Sequence, residues 1–337
     1  MSQRILTLLA GACLLATAQA APAGEITDMT GRSVTVPDEI GRVITLGSVP
    51  VINSFVFTAG KADTVVSGLP QRFVDAGRWT YQYVFAPQLA DAPDLQDANY
   101  APDIERILQA KPDVALSFET DTAEILEANG VPTVLLRIQK PEDVKAGVAL
   151  VGEVLGNPEI GEKYAAFFDA TLARVEEKVT AIPPEERPRV LYINPANMTQ
   201  PHLVAEWWIT AAGGDSVTDD GRTQEVLSLS TEVVVGADPD VIILGDPKHL
   251  DALTSDATLS QLRAVQEGAI LVTPIGAHIW GNRTVEQPLT VLWAATRLHP
   301  DVFPEAELIE EVRNFYATFF RIELTDEQIA RMLSGTM

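Results

Sequence analysis

The sequence predicts an α/β protein of two lobes joined by a single long α-helix. Two observations carry this reading. One helix–strand unit occurs twice, over 104–114 and 231–241, each with a glutamate near the start of an apolar stretch, then Pro-Asp, then a β-branched run. Glu105 and Glu232 stand at the same offset before Pro112-Asp113 and Pro239-Asp240. Strand-length apolar runs also alternate with helical patterns on both sides of one long charged helical segment, Pro158 to Ala181, as parallel βαβ units require. A unit used twice implies two lobes. A glutamate used twice implies one partner that grips both.

The chain opens with Arg4, an apolar run from Ile5 to Ala16, and the small-residue signal Ala18-Gln19-Ala20. That is the pattern of an export signal, here expected to be cleaved after Ala20. The apolar run is too short to span a membrane comfortably. Cys13 is the only cysteine, and Ala10 stands three residues before it where a lipobox prefers Leu, so ordinary cleavage is expected. Residues 21–337 then offer neither a disulfide nor a thiolate metal site. About 300 residues suffice for one large or two ordinary cores. The net charge is -23, and removal of Arg4 makes it more negative. Such a charge argues against nucleic acid and anionic membrane surfaces as partners. An acidic, cysteine-free exported chain reads as a protein of the bacterial periplasm, expected as a monomer.

The first lobe is expected over residues 21–140. A hairpin runs from Glu25 to Pro37 around Thr30-Gly31-Arg32. A strand over 42–47 leads into a helix from Pro50 to Ala59, and a second strand is expected at Thr64–Gly68. A long loop, Leu69 to Asn99, is rich in Pro, Asp and aromatics, and loops of that length are usually functional. The first Glu/Pro-Asp unit follows, with strands at Val114–Ser117 and Pro132–Leu136 flanking a helix from Thr122 to Asn129. Residues 141–182 form the linking helical region, whose second helix begins at a proline suited to a first turn. The second lobe, 183–337, holds strands at 189–193, 241–244 and 269–272, a helix around Trp207 to Ala212, and closing helices near 286–297 and 305–320.

These residues resemble the substrate-binding proteins of bacterial ABC importers for ferric siderophores, vitamin B12 and haem, along nearly all of residues 21–337. The likeness rests on Thr27-Asp28-Met29-Thr30-Gly31-Arg32 with Val34 and Val36, Arg42-Val43-Ile44-Thr45-Leu46, and Gly60-Lys61-Ala62-Asp63 with Val65-Val66-Ser67-Gly68. It continues through both Glu/Pro-Asp units, Ala212-Gly213-Gly214, and the tail Leu289…Leu292-Trp293…Leu298-His299-Pro300-Asp301-Val302-Phe303. The resemblance implies two Rossmann-like lobes joined by one helix, with ligand held in the cleft between them. It implies that Glu105 and Glu232, on the outer surfaces, meet arginines on the two subunits of an ABC permease dimer in the inner membrane. Charge-assisted contacts of that kind fix register and orientation.

Ligand groups belong on loops at strand ends that face the other lobe. In the first lobe the long loop offers Arg72, Arg78, Trp79, Tyr81, Tyr83 and Tyr100. In the second, Trp207 follows the loop from Asn194, Arg222 lies in another loop, and His278, Trp280 and Arg283 lie in Pro274–Arg283. Trp207 and Trp208 cannot both face the cleft, because neighbouring helix residues point apart. Trp293 reads as core. Arginine forks with aromatic walls suit a planar anionic ligand, and Trp280 with Arg283 carries the most weight.

A metal chelate, a ferric siderophore first, is the expected ligand. Cobalamin, haem and an oxyanion such as molybdate stand as alternatives. Only four histidines, His202, His249, His278 and His299, argue against a bare metal ion, which needs three or four His or carboxylate ligands. Axial haem ligation stays open for Tyr81, Tyr83, Tyr100 and His278. No resident cofactor is expected. An enzyme is disfavoured: there is no nucleophile elbow, His-Glu-x-x-His run, phosphate loop or redox cysteine pair.

Overall fold

The computed structural model describes residues 23–335, so the expected export signal lies outside the described residues. The chain begins with an antiparallel hairpin, β1 (Ala23–Thr27) and β2 (Ser33–Pro37). The buried Asp28 carboxylate closes its turn by accepting from the Thr30 and Arg32 backbone N–H groups and the Thr30 hydroxyl. Arg32 then donates to Asp28 and to the Thr133 carbonyl, which pins the hairpin to the first lobe.

That lobe continues through β3 (Val43–Leu46), α1 (Val49–Thr58), α2 (Gln71–Ala76), α3 (Thr80–Phe85), α4 (Ile104–Ala110), β4 (Val114–Ser117), α5 (Thr120–Ala128) and β5 (Thr133–Leu135). Its parallel sheet has the order β3-β4-β5. The strand expected at Thr64–Gly68 shrinks to one bridge between Val43 and Val65. The backbone leaves the sheet at Gly68, whose N–H donates to Pro93 and where a Cβ would stand 2.2 Å from the Ala92 carbonyl.

The long loop expected from Leu69 to Asn99 instead holds α2, α3 and a 3-10 turn at Pro87–Ala90. Helix α2 stops at Gly77, whose φ of 65° supplies a left-handed cap. Tyr81 and Phe85, four residues apart, form the buried face of α3.

Helices α6 (Pro141–Val154) and α7 (Glu159–Thr180) follow. Along the 22 residues of α7, Ile160, Tyr164, Phe168, Thr171, Val175 and Val179 recur at helical spacing as its buried stripe.

The second lobe is built from β6 (Arg189–Tyr192), β7 (Thr199–Pro201), α8 (His202–Ala211), β8 (Asp215–Ser216), β9 (Val226–Ser228), α9 (Thr231–Ala237), β10 (Val241–Leu244), α10 (His249–Ser255), α11 (Arg263–Gln266) and β11 (Ile270–Val272). Its parallel sheet runs β11-β10-β6-β8, while β7 and β9 form a separate antiparallel ribbon. The chain closes with α12 (Gln287–Leu298), α13 (Glu305–Phe315) and α14 (Asp326–Leu333). The helix expected to run to Phe320 widens into a π turn at Tyr316–Phe320, which buries Tyr316, Phe319 and Phe320 together.

Phe320 packs 5.7 Å from Phe57 of α1, and Tyr316 stacks 5.1 Å from Phe85 of α3. The C-terminal helices therefore join the first lobe's core, and α7 is not the only tie between the lobes.

The repeated unit is duplicated in three dimensions. Helices α4 and α9 are each seven residues long, capped by Asp103 and Ser230, which accept the N–H of the third residue on. Each ends on a left-handed residue, Lys111 (φ 47°) and Asp238 (φ 39°). Asp113 and Asp240 then accept backbone N–H groups at the start of the neighbouring strand, from Arg42 at 2.8 Å and Arg189 at 2.7 Å.

Candidate ligand-binding site

The lobes face each other across the carboxyl ends of their parallel strands, where ligands of open α/β sheets bind. In the first lobe, Ser48 follows β3, Phe118 follows β4, and Arg137 with Gln139 follows β5. Opposite them stand His278, Asn282 and Arg283, on the segment after β11. These residues line a hollow of about 420 Å³. A second hollow of about 560 Å³ shares Ser48 and continues past Tyr100, Glu119, Asp121 and Ile125. Arg137 is exposed there.

Tyr100 is 41% exposed and holds a φ of 69°, unusual for a residue with a side chain. Asp97 maintains this turn by accepting from Asn99 and Ala101. The Arg72 guanidinium lies 3.2 Å from the centre of the Tyr100 ring and donates to the Gly47 carbonyl. The left-handed backbone of Tyr100 is thus held beside a cation on its ring, at the edge of the second hollow.

Other residues singled out in the sequence build a clasp between the lobes. Arg78 donates to the Asp246 carboxylate at 3.0 Å and to the Gly245 carbonyl at 2.7 Å. Gln82 donates to the Ala277 carbonyl at 2.7 Å, and Trp79 stacks on His278 with ring centres 4.8 Å apart. Burial pushes the His278 imidazole down to about 4, and Arg78 adds to that effect, so the ring is neutral near pH 7. The Tyr81 hydroxyl donates to the Gln328 carbonyl of α14, and burial raises it to about 12. Tyr83 is half-buried beside Trp79.

Three more singled-out residues lie off the hollows. Trp280 is fully buried in the core. Trp207 is half-buried and stacks on Phe168 of α7, while Trp208 is core. Arg222 is exposed and paired with Asp220 at 2.8 Å. Trp293 is core.

The cleft segment of the second lobe hangs on one buried carboxyl. Glu286 accepts the Ala277 N–H at 2.7 Å, the Tyr316 hydroxyl at 2.5 Å and the His278 N–H at 3.3 Å. Burial pushes it up to about 7, against the pull of these hydrogen bonds.

Sequence reasoning missed Ser48, Phe118, Arg137, Gln139 and Asn282. The signal for the first four was available: each lies within a few residues of the carboxyl end of an expected strand. Among the described residues, no group of three or more His, Cys, Asp or Glu converges to hold a metal ion, and no helix is long and apolar enough to cross a membrane.

A solved periplasmic solute binding protein from Veillonella parvula matches this fold with a TM-score of 0.80 and 26% identity, over 93% of this chain and 97% of that one. The molybdate-binding protein MolA of Haemophilus influenzae is 23% identical, over 95% of this chain and 98% of its own. Its molybdate-bound structure gives a TM-score of 0.77. A cobalamin-binding protein of Halobacterium salinarum is 27% identical over 70% of this chain and 61% of its own. The model of the periplasmic binding protein family matches residues 65–275. With two lobes, a cleft at the strand ends and that match over most of its length, the chain belongs to the periplasmic binding protein family of ABC-transporter solute-binding proteins.

Proposed function

We propose that this protein captures an anionic metal chelate, a ferric siderophore first among them, and delivers it unchanged to an inner-membrane ABC permease. The carrying observation is local charge. Arg137 and Arg283 line one hollow of a chain whose net charge is -23, and Arg72 stacks on Tyr100 at the edge of the other. Arginine forks match carboxylate, hydroxamate and catecholate oxygens, and hollows of several hundred Å³ suit a ligand of that size. A second reading, a tetrahedral oxyanion, is favoured by the withdrawal of Trp280 and Tyr81 from the cleft, which leaves Ser48, Arg137, Gln139, Asn282 and Arg283 as donors on the first hollow, and by the molybdate-binding relative from Haemophilus.

Trp79, stacked on His278 beside the hollow, is a built-in reporter. Titration with a ferric tris-catecholate, a ferric hydroxamate, cyanocobalamin, haemin and molybdate separates the readings by tryptophan quenching. Saturation at one equivalent with the probe recovered intact supports a binder. Turnover of the probe would make the protein an enzyme. Arg137→Gln is expected to weaken the bound probe by about tenfold or more, the worth of a charge-assisted hydrogen bond. Unchanged affinity in that variant removes this hollow as the site.

Glu105 and Glu232 form the permease-docking pair in this reading. Both are exposed, and each has an exposed apolar neighbour one turn on, Leu108 (46%) and Val235 (43%). Residues 1–20 serve as a signal for export to the periplasm, cleaved after Ala20. Closure on ligand is small, because Arg78–Asp246, Gln82–Ala277 and Arg283–Gln139 already cross the cleft. Small-angle scattering with and without ligand is expected to superimpose closely, and a rotation of many degrees contradicts this.

A further inference from the structure

Arg283 is fixed at the cleft by two partners. Its Nε donates across the lobes to the Gln139 carbonyl at 2.9 Å, and its Nη2 donates to the Glu225 carboxylate. The two ends of this ion pair are held differently. The Arg283 side chain is 22% exposed, whereas that of Glu225 is 52% exposed.

The backbone beneath Glu225 is anchored. The N–H of the fully buried His202 donates to the Glu225 carbonyl at 2.9 Å, and its ring contacts the Gln224 carbonyl at 2.9 Å and the Thr218 carbonyl at 3.2 Å. The ring also meets Glu206, which keeps this support inside the second lobe. The Glu225 side chain is thus the movable member. Swinging it into water leaves the Arg283 fork in place on Gln139.

We propose that Glu225 is a built-in counter-anion that occupies Arg283 in the empty cleft and sets which ligands are admitted. It rests on the reading of the hollow as an anion site. An incoming ligand must displace a carboxylate from a guanidinium edge. A singly charged anion gains little by that exchange. A multiply charged oxyanion or chelate also engages Arg137 on the same hollow and gains a second cation. Glu225 therefore selects against weak, common anions in favour of ligands with several negative oxygens.

The test uses the full chain with molybdate and ferric citrate as probes and nitrate as the singly charged anion, by calorimetry at fixed ionic strength. Glu225→Gln is expected to tighten both multivalent probes by about fivefold, the upper worth of an exposed ion pair, and to raise nitrate binding by a larger factor. Asp220→Asn removes a charge from the same loop, where Asp220 pairs with Arg222, and is expected to change affinity by less than about twofold. In an Arg283→Gln background the Glu225→Gln effect should vanish. Unchanged or weaker binding in Glu225→Gln overturns the counter-anion role. Equal tightening in Asp220→Asn overturns it too, as a net-charge effect. If Arg283→Gln binds like wild type, or no probe binds any variant, the anion reading of the hollow falls with it.

Discussion

Replacing Glu105 and Glu232 together with alanine is expected to abolish uptake by the reconstituted importer while ligand affinity stays within about twofold. The two glutamates occupy equivalent places. Each lies in the first turn of a seven-residue helix that runs back to the start of the next strand. Its helix N-terminus therefore sits level with the strand carboxyl ends, on the edge where the cleft opens. The bonds around it agree. Asp103 donates its N–H to Leu95, the next residue, Gln96, holds Gly47 after β3, and Leu229 donates to Met198 beyond β6. Neither glutamate lines the two hollows, which fits the proposed docking role.

Neither glutamate is the cap of its helix. Among the described residues Glu105 accepts from Gln109, at 3.3 Å, and the helix caps are Asp103 and Ser230. Hydrogen bonds from its own backbone and from Ser230 lower the Glu232 pKa, so it is ionised at neutral pH. Single substitutions should leave partial uptake, with stronger salt sensitivity than wild type. Vesicle uptake and calorimetry on the same preparations decide the matter. If affinity falls as far as uptake, the docking assignment is wrong.

The scaffold was legible because its signals are short-range. Alternating β-branched runs and Pro-Asp after each repeated helix act within a few residues. The cleft was less legible, because aromatic residues signal burial as strongly as binding. Tyr81 and Phe85 are spaced for a helix face, and α3 buries them; Trp280 is in the core. Arg78 has the chemistry of an anion ligand, but a partner 168 positions away, Asp246, occupies it. Pairings over such separations leave no local pattern. The signal that went unused was position: Arg137 was not singled out, yet it follows a strand the sequence had located, and loops at strand ends are where open α/β sheets bind ligands.

Replacement of Glu286 by leucine is expected to cost about 4 kcal/mol of stability. It strands the buried Ala277 and His278 N–H groups and the Tyr316 hydroxyl, and each unsatisfied group costs roughly 1–3 kcal/mol. Gly276→Ala should act on the same contact more weakly, since its Cβ would stand 2.1 Å from both the Glu286 Oε1 and the Tyr316 hydroxyl. Both variants loosen the segment that presents His278 and Arg283, so ligand affinity should fall with stability.

Titration gives an independent check. Burial raises the Glu286 carboxyl from 4.5 to about 7. Between those values the folded protein holds a proton that the unfolded chain has released. Stability from this group therefore falls as pH rises from 4.5 to 7, by roughly 3 kcal/mol. His278 works in the opposite sense. Its pKa drops from 6.5 to about 4, so the unfolded chain binds the extra proton and stability rises with pH across that window. The two slopes oppose each other from pH 4.5 to 6.5. In Glu286→Gln the falling limb disappears, and urea midpoints should climb across that range more steeply than in wild type. Parallel profiles for wild type and variant would mean that Glu286 is ionised in the fold, held by its three donors against the cost of burial.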